Sequence, residues 1–111
     1  MFRQEVISLD TYSMECFIAV CNYRSITRAA QSMHISQSAL SRKVIALEEE
    51  LGAVLLIRTN YSVTPTVAGE RFLKDCVRIT NRVQTLMTDL KYLSHQDRIR
   101  IGYNPSLQEL H

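Results

Sequence analysis

What this sequence has little of already narrows its chemistry. Its 111 residues contain no tryptophan, three glycines and two prolines. So few breaks leave little room for turns, and the segments between them should be mostly helix. Three cysteines, Cys16, Cys21 and Cys76, are an odd number at spacings that fit neither a zinc site nor a disulfide framework, so they read as small core residues in a reducing cytoplasm. No stretch approaches the roughly 18 consecutive apolar residues of a membrane span. The start, Met1-Phe2-Arg3-Gln4-Glu5, lacks the layout of a signal peptide. The expectation is a soluble, cytoplasmic protein without a membrane partner. Charge of one sign is missing too: 13 Lys+Arg against 11 Asp+Glu leave a net +2, too little to prove a nucleic-acid partner, so local placement must carry that argument. No nucleophile–base pair, metal-ligand spacing or phosphate-cradling glycine loop is present, which speaks against an enzyme, a metal site or a cofactor.

What is present is an ordinary folding composition, 46% hydrophobic and 22% charged, in a chain long enough for one modest core and an appendage. From Asp10 to about Tyr23, Met14, Phe17, Ile18 and Cys21 recur at three- and four-residue steps, the stripe of an amphipathic helix. Ser25 can cap a second, short helix whose inner face is Ile26, Ala29, Ala30 and Met33. After a break at Met33-His34-Ile35-Ser36, Ser36 can cap a third helix running to about Leu51, with Gly52 as its C-terminal cap. Leu40, Val44, Leu47 and Leu51 form the apolar stripe of that helix. Gln37, Ser38, Ser41 and Arg42 gather near its first two turns, off the stripe.

Val54-Leu55-Leu56-Ile57 and Val63-Thr64-Pro65 flank a polar Arg58-Thr59-Asn60-Tyr61-Ser62, which predicts a small hairpin. Thr66 can cap a final helix to about Leu93. Along it Phe72, Cys76, Ile79, Val83, Leu86, Leu90 and Leu93 alternate by four and three residues, a heptad seam that wants a partner helix. Arg98-Ile99-Arg100-Ile101-Gly102-Tyr103 alternates like a strand, with too little chain after it to build a sheet. The acidic run Glu48-Glu49-Glu50 points in several directions and should face water and repel phosphate, and His34 reads as a turn residue. Lys74, Arg78 and Arg82 form a basic row read as an exposed helix face.

Two short helices joined by a tight turn, with polar groups leading the second, meet the physical needs of a helix-turn-helix reader: small Ala29 and Ala30 permit close packing, and exposed N-terminal turns can enter a major groove. Six blocks extend that pattern in order. They are Phe17-Ile18-Ala19-Val20, Ser25-Ile26-Thr27-Arg28-Ala29-Ala30, Ile35-Ser36-Gln37-Ser38-Ala39-Leu40-Ser41-Arg42, Leu47-Glu48-Glu49-Glu50-Leu51-Gly52, Leu55-Leu56-Ile57-Arg58-Thr59 and Thr66-Val67-Ala68-Gly69. With these blocks, residues from about 9 to 93 resemble the LysR-type transcriptional regulators of bacteria.

The resemblance implies a mainly α fold: a winged helix-turn-helix of three helices and a small β-hairpin wing, followed by a long C-terminal dimerisation helix. The expected organisation is an N-terminal extension over 1–8, the DNA-binding domain over 9–65, a linker and dimerisation helix over 66–94, and a hinge with the first strand of a missing effector-binding domain over 95–111. Carried over position by position, Gln37, Ser38, Ser41 and Arg42 would reach base edges. Chemistry agrees, since arginine can fork onto guanine, glutamine onto adenine, and serine hydroxyls donate or accept. Thr27, Arg28, Ser36, Lys43, Arg58, Thr59 and Tyr61 would hold the sugar-phosphate backbone, which fixes register without reading sequence, although capping alone explains Ser25 and Ser36.

Family members often carry arginine at the wing tip. Here the tip is Asn60-Tyr61-Ser62, so any contact there falls to Tyr61 or Asn60. The expected partners are double-stranded DNA bearing an inverted repeat and a second copy of the chain, paired through the seam from Phe72 to Leu93. A tetramer is open to full-length chains, and a small-molecule effector would bind only in the missing domain. The rival reading is a winged-helix and coiled-coil interaction module that never touches DNA.

Overall fold

A computed structural model describes residues 9–102. The expected extension over 1–8 and the last part of the expected hinge and strand, from Tyr103 onward, lie outside the described residues. Within them the order is α1 Thr11–Tyr23, α2 Ile26–Met33, α3 Gln37–Leu51, β1 Leu56–Arg58, β2 Val63–Pro65 and α4 Val67–Arg100.

Each of the first three helices starts on a side-chain oxygen that accepts an otherwise orphan backbone N–H. Asp10 accepts from Ser13 N at 2.7 Å, Ser25 from Arg28 N at 3.1 Å and Ser36 from Ala39 N at 3.1 Å. Each ends on a left-handed residue. Gly52 does so without strain at φ 65°, whereas Arg24 (φ 54°) and His34 (φ 59°) hold that conformation with side chains attached. The His34 N–H donates to the Ala30 and Gln31 carbonyls, and Ile35 N to Ala30 O at 3.1 Å. The turn between α2 and α3 is thereby fixed by backbone bonds.

The three helices meet around Phe17, Val20, Leu40, Val44 and Leu47, all fully buried, and Leu55 closes the core from the hairpin side. Each such side chain contributes about 1.5–3 kcal/mol by leaving water. Ala29 (0% exposed) and Ala30 (2%) let α2 lie close against its neighbours. β1 and β2 pair antiparallel in the register Leu56↔Pro65, Ile57↔Thr64, Arg58↔Val63. The hairpin is tied to α1, because Val63 N donates to Arg24 O at 3.1 Å.

It is also tied to α3. Glu48 Oε2 accepts from Leu55 N at 2.8 Å and from Leu56 N at 3.4 Å. The expectation that all three acids of Glu48-Glu49-Glu50 simply face water fails at Glu48, because the strand entry brings two backbone N–H groups within its reach. Thr66 caps α4 by accepting from Gly69 N at 3.0 Å, and its hydroxyl donates to Val54 O at 2.6 Å. Gly69 is required there: a β-carbon would overlap the Leu55 carbonyl oxygen and press on Pro65 Cβ at 3.1 Å.

The described residues fall into two units, 9–80 and 81–102. In the first, the opening turns of α4 join the core: the Phe72 ring lies 5.0 Å from that of Phe17 at an interplanar angle of 59°, and Cys76 is fully buried. Phe72 and Cys76, expected in the intermolecular seam, therefore face the chain's own core, because the α4 cap holds this part of the helix beside the hairpin and α1. In the second unit Leu86 (48% exposed), Leu90 (55%) and Leu93 (54%) are uncovered, while Val83 is half-buried.

The strand expected over 98–103 is helix through Arg100, six residues beyond the expected end of the linker helix. Arg100 Nη2 donates to Asp97 Oδ1 at 2.7 Å and Ile101 N to Asp97 O at 3.0 Å, continuing the helical ladder. Alternation over so few residues needs a neighbouring strand to become a sheet, and the only sheet among the described residues is the β1–β2 pair.

Candidate nucleic-acid interface

The leading end of α3 is presented by two caps. Ser36 fixes its own first turn, and Ser25 fixes the first turn of α2 alongside. Ser36, Gln37, Ser38, Ser41 and Arg42 line one open concavity. A second is lined by Arg24, Thr27, Gln37, Arg58, Thr59 and Tyr61 together with neighbouring residues, and brings the start of α2 opposite the wing. Gln37 belongs to both.

All four base-reading candidates thus share one surface, with Gln37, Ser38 and Arg42 exposed and Ser41 half-buried. Ser38 Oγ lies 3.3 Å from Ser36 Oγ. Thr27 Oγ1 donates to Gln37 Oε1 at 3.0 Å, joining the leading ends of the two helices.

Among the described residues no carboxylate lines either concavity, while Arg24, Arg42 and Arg58 do. The acids of α3 sit at its other end. There Glu48 and Glu49, with Ile45 and Val54, line a separate hollow. Acids at a helix C-terminus oppose the helix dipole, which prefers cations there. The charge order along α3, with Arg42 toward its start and Glu48 and Glu49 toward its end, is therefore not one that favours the helix itself.

The backbone-contact candidates divide. Arg58 and Tyr61 are exposed on the wing, Tyr61 at 96%. Thr59 is the clamp of the wing-tip turn: its hydroxyl donates to Ser62 O at 3.0 Å and accepts from Ser62 N at 3.1 Å and Tyr61 N at 3.3 Å. Arg28 lies over the Tyr23 ring at 5.8 Å and Lys43 over the Tyr12 ring at 5.3 Å. Such contacts orient a cation without neutralising it. Ser36 Oγ accepts the cap bond from Ala39 N and stays exposed. Arg24 was missed by sequence reasoning. Its only signal was a cation directly before the Ser25 cap, and its position beside the wing depends on the left-handed backbone at the end of α1.

Burial disfavours the thiolate at all three cysteines. Burial pushes Cys21 and Cys76 up to about 11 and raises Cys16 as well. Among the described residues, no group of three or more His, Cys, Asp and Glu could hold a metal ion, and no helix is long and apolar enough to cross a membrane.

Residues 12–70 match the family described as bacterial regulatory helix-turn-helix protein, lysR family. The chain belongs to the LysR family. It is similar to the Hca operon transcriptional activator HcaR of Escherichia coli (strain K12), 36% identical over 101 residues that cover 90% of this chain and 34% of the relative. It spans about a third of the length of the curated relatives it matches. Among solved structures it is similar to the CbnR_DBD–DNA complex, with a TM-score of 0.74 and 31% identity, covering 78% of this chain and 99% of that one. It is similar also to the BenM_DBD/catB site 1 DNA complex, with a TM-score of 0.75 and 31% identity over 78% of this chain and 96% of that one. The winged helix-turn-helix with a long C-terminal helix expected from the sequence is the fold of this LysR-family chain, and its matched relatives are transcriptional regulators.

Proposed function

We propose that this LysR-family chain reads double-stranded DNA in a sequence-specific way as half of a homodimer, and that the full-length protein regulates transcription in the bacterial cytoplasm. The observation that carries the proposal is the convergence of Gln37, Ser38, Ser41 and Arg42 on one exposed, acid-free face at the capped end of α3. That face has the width of a helix end, as a major groove requires, and its groups match base edges: a forked guanidinium, an amide and two hydroxyls. Arg58 and Arg24 flank it and would meet phosphates. Ser36, Arg28, Lys43, Thr59 and Tyr61 would support the backbone contact, several of them by ordering the surface. The two DNA complexes of its structural relatives support the same reading.

The exposed side chains Ile79, Leu86, Leu90 and Leu93, with the half-buried Val83 between them, supply the seam through which a second copy would pack. Two copies related by a two-fold axis would require an inverted-repeat site. The protein acts by binding rather than catalysis, with no cofactor of its own in this part. An effector would be bound elsewhere in the full-length chain, where assembly to a tetramer would also be settled.

The test is selection from randomised duplex DNA across a salt series, with Arg42→Ala beside the parent chain. The expected outcome is an enriched inverted repeat in which Arg42→Ala loses about 1–3 kcal/mol of discrimination at one base pair of each half-site. Weak binding by both proteins, equal on all sequences, would overturn the proposal in favour of a protein-interaction module.

A further inference from the structure

We infer that Thr27 is a specificity-determining positioning residue that acts through Gln37, and does not serve as a phosphate donor. The inference rests on the proposed DNA reading and assigns a part within it.

A threonine hydroxyl carries a single proton, and here that proton goes to Gln37 Oε1 at 3.0 Å. Phosphate oxygens only accept, so the lone pairs left on Thr27 Oγ1 have nothing to offer them while this bond stands. The two partners are unequal in stiffness. Thr27 is β-branched, with few rotamers open on a helix, and it stands one residue after the start of α2, whose first turn is pinned by Ser25. Gln37 opens α3, is exposed, and has three side-chain torsions to settle. Left alone, its amide would sample several directions. The Thr27 hydroxyl removes that freedom at the residue that belongs to both concavities. The bond spans ten residues of sequence and joins the two helices whose relative placement defines the reader. A side chain fixed before it meets a base loses less entropy on binding, and tolerates a wrong base less well.

The experiment compares the parent chain with Thr27→Val, Thr27→Ser, Gln37→Ala and the Thr27→Val/Gln37→Ala double variant. Each is assayed by competition binding to the selected duplex, to its single-base variants and to an unrelated duplex over a salt series. Thermal midpoints serve as the folding control. Thr27→Val is expected to lose about fivefold in discrimination at the one base pair whose preference Gln37→Ala abolishes. The other positions and the salt slope on unrelated DNA should be unchanged. Thr27→Ser restores the preference, and the double variant is no less selective than Gln37→Ala alone.

A uniform loss on all sequences with a shallower salt slope would make Thr27 a phosphate contact and overturn the inference. Independent, additive losses in the double variant would do the same. If the parent chain selects a site and Thr27→Val selects it equally well, only this inference falls. A parent chain without any selectivity takes the DNA-reading proposal down with it.

Discussion

Helices α3 and α4 carry the same kind of apolar stripe and meet opposite fates. Leu40, Val44 and Leu47 on α3 are completely buried, whereas Leu86, Leu90 and Leu93 on α4 stay about half exposed. The difference lies in what each stripe can reach. α3 is followed at once by the Gly52 cap and a hairpin that folds back, so that its Glu48 binds Leu55 and Leu56. The stripe of α4 beyond residue 80 meets no such return among the described residues. Periodicity thus reports which face of a helix is apolar, while burial depends on whether the same chain supplies a cover.

That comparison can be broken with one kind of substitution made twice. Leu47→Ala should cost about 2–5 kcal/mol of unfolding free energy, measured by denaturant titration, because it leaves a cavity in a closed core. Leu90→Ala should leave the unfolding of the separated subunit nearly unchanged, and instead weaken self-association in sedimentation equilibrium. Equal unfolding costs for the two would mean that the outer part of α4 is covered by its own chain. A somewhat smaller effect is expected at the junction: Gly69→Ala forces a methyl group onto the Leu55 carbonyl and should lower stability by about 1–3 kcal/mol, again by denaturant titration.

The smallest effect concerns the cap of α1. The Ser13 backbone N–H, helped by the Ser13 side chain, holds the Asp10 carboxyl below its ordinary value of 3.8. A folded pKa depressed in this way contributes stability above the unfolded value, and that contribution is lost as pH falls through the folded one. Thermal midpoints of the parent and of Asp10→Asn should therefore converge as the pH drops below about 4, and stay parallel if the cap is neutral in the fold.

Much of this arrangement was legible from the chain itself, because caps are local. Ser25, Ser36, Gly52 and Thr66 were identifiable as helix boundaries from residue type and the stripe that follows, and each plays that part. The four polar groups leading α3 were found by counting around a helix. Four features lay beyond that method. The Thr27–Gln37 bond and the Glu48 contacts with β1 join residues whose distance apart depends on tertiary packing. The assignment of Phe72 and Cys76 to the core depends on where along a uniform seam the domain ends, which the repeat alone does not mark. The helix over 98–100 was expected as a strand from its alternation alone, and the Asp97–Arg100 pair that continues the helix had no part in that expectation.

The Glu48 carboxylate has a mechanical meaning as well. One oxygen grips the entrance to the hairpin while its own backbone belongs to the last turns of α3. Wing and α3 therefore share a pin on the side remote from Gln37. A force applied to the wing would be passed on to α3 instead of merely bending the hairpin.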